Sequence, residues 1–144
     1  GYLGEIKPGV RAPSHISPII VSREGKPFLA LGAAGGSRIP SSIVAVISRV
    51  IDQKFSLVDA MALPRVHPTS DNMEIEAVST NSGAYNEDYI YTLSDTLFFN
   101  QLGHSMKLRE GKGNFGRVYA IMREGNDWVA VSDPDWQGSS GAVK

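Results

Sequence analysis

The chain has 144 residues, 42% of them hydrophobic and 20% charged, with a formal net charge of −1, which is the make-up of one soluble globular domain with a sizeable core. Its basic residues are scattered and do not form a stripe, which argues against nucleic acid as a partner, and there is no cysteine, which removes disulfides, thiolate metal sites and a cysteine nucleophile. No window reaches the roughly 18 apolar residues of a membrane span, because Arg38, Ser48, Arg49 and Asp52 interrupt the best candidate.

The first residue is Gly1, with no charged-then-apolar leader ahead of it. The expectation is either a removed upstream segment or a piece of a larger polypeptide. Residues 1–17, with two prolines and three glycines, read as an irregular connecting segment. "SPIIVS", "REGK" and "PFLALG" read as a hairpin around Gly25, with strands apolar enough to lie in a sheet covered on both faces. Three glycines follow, Gly32, Gly35 and Gly36, and then a helical pattern in which Ile43, Val44, Ile47, Val50 and Ile51 share one apolar face. Ser37 is the expected N-cap, and Pro40 falls in the first turn, where its missing N–H does no harm.

A second helix is expected to start at Ser56, capped with Asp59, and to stop before Pro64; "PRVHPTS" reads as a loop and "MEIEAV" as an alternating strand. "NEDYIYTLSDTLFFNQLGH" reads as a helix, with Glu87 and Asp88 at the end the helix dipole favours and Gly103 as the C-cap. "MKLRE" is a short strand, and "GRVYAIM" and "WVAVSD" form a closing hairpin around a glycine-containing turn. The order β-β-α-α-β-α-β-β-β predicts an α+β sandwich with antiparallel or mixed sheets.

The Gly35-Gly36-Ser37 turn leads into a helix, so it exposes backbone N–H groups where an anion is favoured. The spacing is G-x-x-G-G after a hairpin, which departs from the G-x-G-x-x-G of a dinucleotide site in a parallel βαβ unit. A P-loop needs Gly-Lys-Ser/Thr, where this chain has Gly36-Ser37-Arg38. An oxyanion hole remains, in which Gly35 and Gly36 aim two amides at a tetrahedral intermediate. Against it stands the plain alternative that glycine is there only for positive φ or tight packing.

"PGVRAPSHISPIIV", "GKPFLALGAAGGSRI", "LPRVHP", "GRVYAI" and "SDP" resemble, in order and spacing, the C-terminal part of the small subunit of gamma-glutamyltranspeptidases, over about residues 8–138. The pairing of Arg11 through Pro18 with Gly32 through Ile39 is the most specific part. The resemblance implies an N-terminal nucleophile hydrolase and a four-layer αββα sandwich, with residues 1–144 supplying part of it. It implies that Gly35 and Gly36 form the oxyanion hole and that Ser14 and His15 match two adjacent serines binding the alpha-carboxylate of a small gamma-glutamyl substrate. It further implies a partner segment or subunit carrying a threonine nucleophile, freed by self-cleavage, and a periplasmic or extracellular location.

Two departures stand out: His15 replaces the second serine, and Asp135 follows "SDP" where the family carries arginine. Thr69, Thr80, Thr92 and Thr96 lie in unrelated contexts, so by itself the chain is expected to be inactive. No cofactor is implied, and no histidine pair shares a face with a carboxylate at metal-ligand spacing. His67 is expected to be structural, near the rim, and His104 a cation at a helix C-terminus. Arg38 is read as a pocket donor or a surface ion pair, Trp128 and Trp136 as packing residues, and Asp133 as a turn initiator more than an inter-subunit anchor. Gamma-glutamyl transfer or hydrolysis is the leading function; an acylase or amidohydrolase with another acyl donor and a non-catalytic scaffold are the alternatives.

Overall fold

In the computed structural model, residues 7–76, 93–109, 115–134, 138 and 141 are described. Strands β1 (Ile19–Arg23), β2 (Lys26–Ala34), β6 (Arg117–Glu124) and β7 (Asp127–Ser132) make an antiparallel sheet in the order β1-β2-β6-β7. The hairpin between β1 and β2 closes on Glu24 and Gly25 at φ 52° and 74°, the two positive angles that a type I′ turn demands. Strands β3 (Val66–Pro68), β4 (Met73–Glu76) and β5 (Met106–Arg109) form a second sheet, antiparallel between β3 and β4 and parallel between β4 and β5. The α+β class expected from the element order is what the chain adopts.

Helix α1 (Ile39–Ile51) and helix α2 (Leu57–Ala62) lie on one face of the four-stranded sheet. The inward rows of β2 and β6, Leu29 with Met122 and Leu31 with Ala120, meet Ile39, Ile43, Val46 and Val50 of α1 and Leu57, Ala60 and Met61 of α2. Leu29, Val46, Leu57 and Met61 have no exposed surface, so burying each such side chain contributes roughly 1.5–3 kcal/mol of gross hydrophobic stabilisation. On α1 the stripe runs through Ile39, Ser42, Ile43, Val46, Arg49 and Val50; Val44 is turned out and 63% exposed. Buried Arg49 donates to the carbonyls of Ala60, Leu63 and Pro64, satisfying the end of α2.

Three local expectations are corrected. The "PRVHPTS" segment is not wholly a loop, because Val66–Pro68 pairs with Met73–Ile75 as β3. Ser37 caps nothing; a single 3₁₀ turn (Gly36–Arg38) precedes α1, and the N-cap position of α1 falls on Arg38 without a side-chain bond. Strands β1 and β2 are not covered on both faces among the described residues: β1 is an edge strand, with Ile20 71% exposed on the side away from the helices. Asp133 is buried and paired with Arg65, a contact beyond its expected part as a turn initiator.

Ser56 does cap α2, its hydroxyl accepting the Asp59 N–H at 3.1 Å. Helix α3 (Leu93–Gln101) ends at Gly103 (φ 85°), where the N–H groups of Gly103 and His104 turn back to the carbonyls of Asn100 and Phe99. Its expected start at Glu87 and Asp88, the end of the strand expected from "MEIEAV", Thr80, Thr92, Asp135 and Trp136 lie outside the described residues.

Candidate active site

The glycine turn sits where β2 runs out of its partner. The β2–β6 ladder ends at Ala34 opposite Arg117, and the chain then swings through Gly35 (φ 146°, ψ 23°) and Gly36 (φ 60°) into the 3₁₀ turn. Both angles disfavour side chains, and at Gly35 space does so as well: a Cβ there would stand 2.7 Å from Cα of Gly116. Gly116 is equally tight, since a Cβ on it would lie 2.7 Å from Oγ of Ser42 and 2.9 Å from the Arg38 carbonyl. Two backbones therefore meet glycine to glycine. Around Gly36 a Cβ would find open space, so that residue answers to conformation alone.

Among the described residues, no acceptor engages the N–H of Gly35 or Gly36, and both residues are exposed. Unengaged backbone amides on a bend held from behind are the kind of donor from which an oxyanion hole is built.

One brace is fully buried. The Arg65 guanidinium, 3% exposed, donates to the Gly116 carbonyl at 2.9 Å and the Met61 carbonyl at 2.9 Å, and lies 2.8 Å from Asp133 Oδ2. That same carboxylate oxygen accepts the Val118 N–H at 3.0 Å, and Ser42 Oγ accepts the Gly116 N–H at 3.2 Å. The residue that abuts Gly35, just ahead of β6, is thus pinned through both its N–H and its carbonyl.

The second brace is half-wet. Arg38 donates through Nε and Nη2 to Glu74 Oε2 at 3.2 and 2.6 Å, and Arg109 donates through Nε to Oε1 at 2.8 Å and also through Nη2. The Glu74 side chain is 4% exposed, Arg38 29% and Arg109 40%. The Arg109 hydrogen bonds, chiefly, and then those of Arg38 hold the Glu74 carboxyl below its ordinary pKa despite burial. Beside it, His67 Nδ1 and Ser41 Oγ are 2.9 Å apart, and the same hydroxyl donates to the Arg38 carbonyl at 3.1 Å. Burial, then the charge of Arg38, lower the pKa of His67, partly opposed by Glu74, with His15 adding to the fall.

Ser14 and His15 lie in the exposed segment before β1. Ser14 Oγ accepts the N–H of Ile16 at 3.4 Å, and the carbonyl of His15 accepts the Ser17 hydroxyl at 3.0 Å. His15 is near enough for its charge to be felt at His67, which flanks the turn through Ser41. No hydrogen bond joins Ser14 or His15 to Gly35 or Gly36 among the described residues. Nor is there, among those residues, a group of three or more histidines and carboxylates able to hold a metal.

Arg65, Glu74, Arg109 and Gly116 were not read from the sequence as supports of the site. Arg65 and Gly116 did lie inside the quoted motifs, whereas the alternation of "MEIE" would have turned Glu74 and Glu76 outward.

The family model for gamma-glutamyltranspeptidase matches residues 3–143. The chain belongs to the gamma-glutamyltranspeptidase family. It is 33% identical over 143 residues, 96% of this chain and 23% of the relative, to a glutathione hydrolase proenzyme of Pseudomonas aeruginosa. Over 79 residues, 55% of this chain and 14% of the relative, it is 34% identical to the acylase ACY 1 proenzyme of a Pseudomonas species, strain V22. Among solved structures it resembles the gamma-glutamyltranspeptidase of Pseudomonas nitroreducens complexed with L-DON, with TM-score 0.75 and 32% identity, covering 96% of this chain and 67% of that one. This member of the family therefore spans about a quarter of the length of the curated relative that it matches from end to end.

Proposed function

We propose that this chain is the C-terminal part of a gamma-glutamyltranspeptidase small subunit and that it supplies the oxyanion hole for gamma-glutamyl transfer or hydrolysis. A threonine on a segment outside this chain attacks the gamma-carbonyl carbon, and its amine takes the hydroxyl proton. Charge gathers on the former carbonyl oxygen, which the Gly35 and Gly36 amides receive. The carbon–nitrogen bond breaks, the departing amine takes the proton back, and the threonine ester is left; water or an acceptor amine then releases the glutamyl group.

The observation that carries this reading is the pair of unengaged N–H groups at Gly35 and Gly36, on a turn whose angles favour glycine at both positions and that is braced from behind. Ser14 and His15 are assigned to the alpha-carboxylate, hydroxyl and imidazole both being able to donate to it. The partner segment is supported by the sheet face turned away from the helices, where Ile20, Ala30, Ile121 and Ala130 form one row across four strands. No cofactor is invoked. Among the described residues no helix is long and apolar enough to cross a membrane, and we assign the assembled enzyme to the periplasm or the cell exterior on family grounds.

The test is release of anilide from a gamma-glutamyl anilide by this chain assembled with its threonine-bearing segment. Gly36→Val keeps the main-chain N–H but puts a β-branched residue at φ 60°, so the turn must shift and carry its amides off the oxyanion; kcat should fall by up to about 10²–10³-fold, the cost of an oxyanion donor that no longer reaches. Unchanged kinetics would overturn the assignment. A second reading, an acylase with a different acyl donor, is favoured by His15 in place of a serine and by the likeness to the acylase proenzyme. Turnover of another acyl amide in preference to the gamma-glutamyl one selects it, and no turnover of any acyl donor selects the scaffold alternative.

A further inference from the structure

We propose that Glu74 is a positioning residue for the acyl-transfer turn, acting through Arg38, with Arg109 as its charge partner; this rests on the oxyanion reading above. Arg38 is the last residue of the 3₁₀ turn, and its N–H closes back on the Gly35 carbonyl at 3.3 Å. Its guanidinium has one well-defined slot, against Glu74 Oε2 on one side and 6.0 Å from the centre of the buried Phe115 ring on another. Glu74 in turn belongs to β4, held between β3 and β5. A paired strand is stiff, whereas a glycine pair with open space around Gly36 is not. The tether passes the rigidity of β4 to the Arg38 end of the turn, whose carbonyl also packs on Gly116.

A buried carboxylate beside an oxyanion would by itself oppose the reaction. Two guanidiniums share this one, so the Arg38–Glu74–Arg109 cluster carries a net single positive charge. Both carboxylate oxygens are occupied, one by each arginine, which leaves Glu74 neither free to rotate nor available as a proton acceptor. Glu74 can therefore orient without repelling, and Arg109 is what permits it.

The experiment uses the complete enzyme with its threonine-bearing segment, with matured sites counted by active-site titration. Glu74→Gln keeps the shape and removes the charge. It should lower kcat about tenfold, less than removal of a donor, while KM changes less than about threefold. Affinity for a tetrahedral gamma-glutamyl boronate should fall in step with kcat/KM, and affinity for planar glutamate should not. Arg109→Gln, at a side chain 40% exposed and therefore safer for folding, should act in the same direction on kcat and on the boronate.

Equal loss of boronate and glutamate binding would show a merely structural role and overturn the proposal. Wild-type kinetics in both Glu74→Gln and Arg109→Gln, with Gly36→Val impaired, would overturn the positioning role and leave the oxyanion assignment standing. Wild-type kinetics in Gly36→Val would remove both.

Discussion

Two ionic braces flank the same glycine turn, and they are built on opposite principles. Arg65 and Asp133 are 3% and 1% exposed at the side chain and are completed by main-chain groups of Met61, Gly116 and Val118. Arg38, Glu74 and Arg109 keep their carboxylate dry and their guanidiniums partly wet. The first brace can exist only in a folded interior, because breaking it strands a charge without water. The second keeps some solvation in reserve and should tolerate damage. Stability is concentrated on the Gly116 side, and adjustability on the Arg38 side.

The largest expected effect sharpens that contrast at its buried end. Asp133→Ala should cost up to about 3–5 kcal/mol in urea unfolding, since it removes the carboxylate 2.8 Å from Arg65 and leaves, among the described residues, only that of Glu76, 4.0 Å from Nε, whereas Arg65→Met combined with Asp133→Leu should cost distinctly less. If the double variant is no better than the single, the buried charge is not the cause. Next comes Gly35→Ala, expected to lose about 1–3 kcal/mol from backbone strain alone and more from the collision with Gly116, read as a drop in Tm.

Arg109→Met tests the wet end. With the partner exposed to this degree, the loss in unfolding free energy should stay below about 1 kcal/mol and shrink in high salt, in contrast to Asp133→Ala. A loss as large as that of Asp133→Ala would erase the distinction between the two braces.

Acid titration of stability separates the two titrating groups on the Arg38 side. Glu74 has a lowered folded pKa, so its contribution is present above the ordinary carboxylate range and is lost as pH falls through the folded value; Glu74→Gln should remove that component. The smallest effect concerns His67, whose folded pKa is also lowered. It contributes nothing above the ordinary imidazole range and destabilises as pH falls below it, because the unfolded chain takes up the proton first. His67→Gln should flatten the slope of Tm against pH in that window; an unchanged slope would show that the imidazole titrates alike in both states.

Much of the architecture was legible from local chemistry. The hairpin strands, the apolar stripe of α1 and the Ser56 cap rest on interactions within one element or between neighbours, and those leave a period or a spacing in the chain. Failures came where a distant partner overrode the local rule. Alternation turns Glu74 and Glu76 outward, yet both are buried, with arginine side chains beside them. Asp133 before proline suits a turn, yet it faces Arg65, 68 positions earlier in the numbering. The glycine pair was legible as a special turn, but its brace was not, because Gly116 meets Gly35 only after β2 and β6 have paired.

Sequence alone determined the family, most of the described elements and the position of the strained turn, since glycines, caps and periodic apolar residues act on their own neighbourhood. Tertiary structure alone decided which charges are buried, which backbones touch and how the turn is held. Those outcomes depend on groups dozens of residues apart, brought together in a medium where an ion or an amide must find a partner.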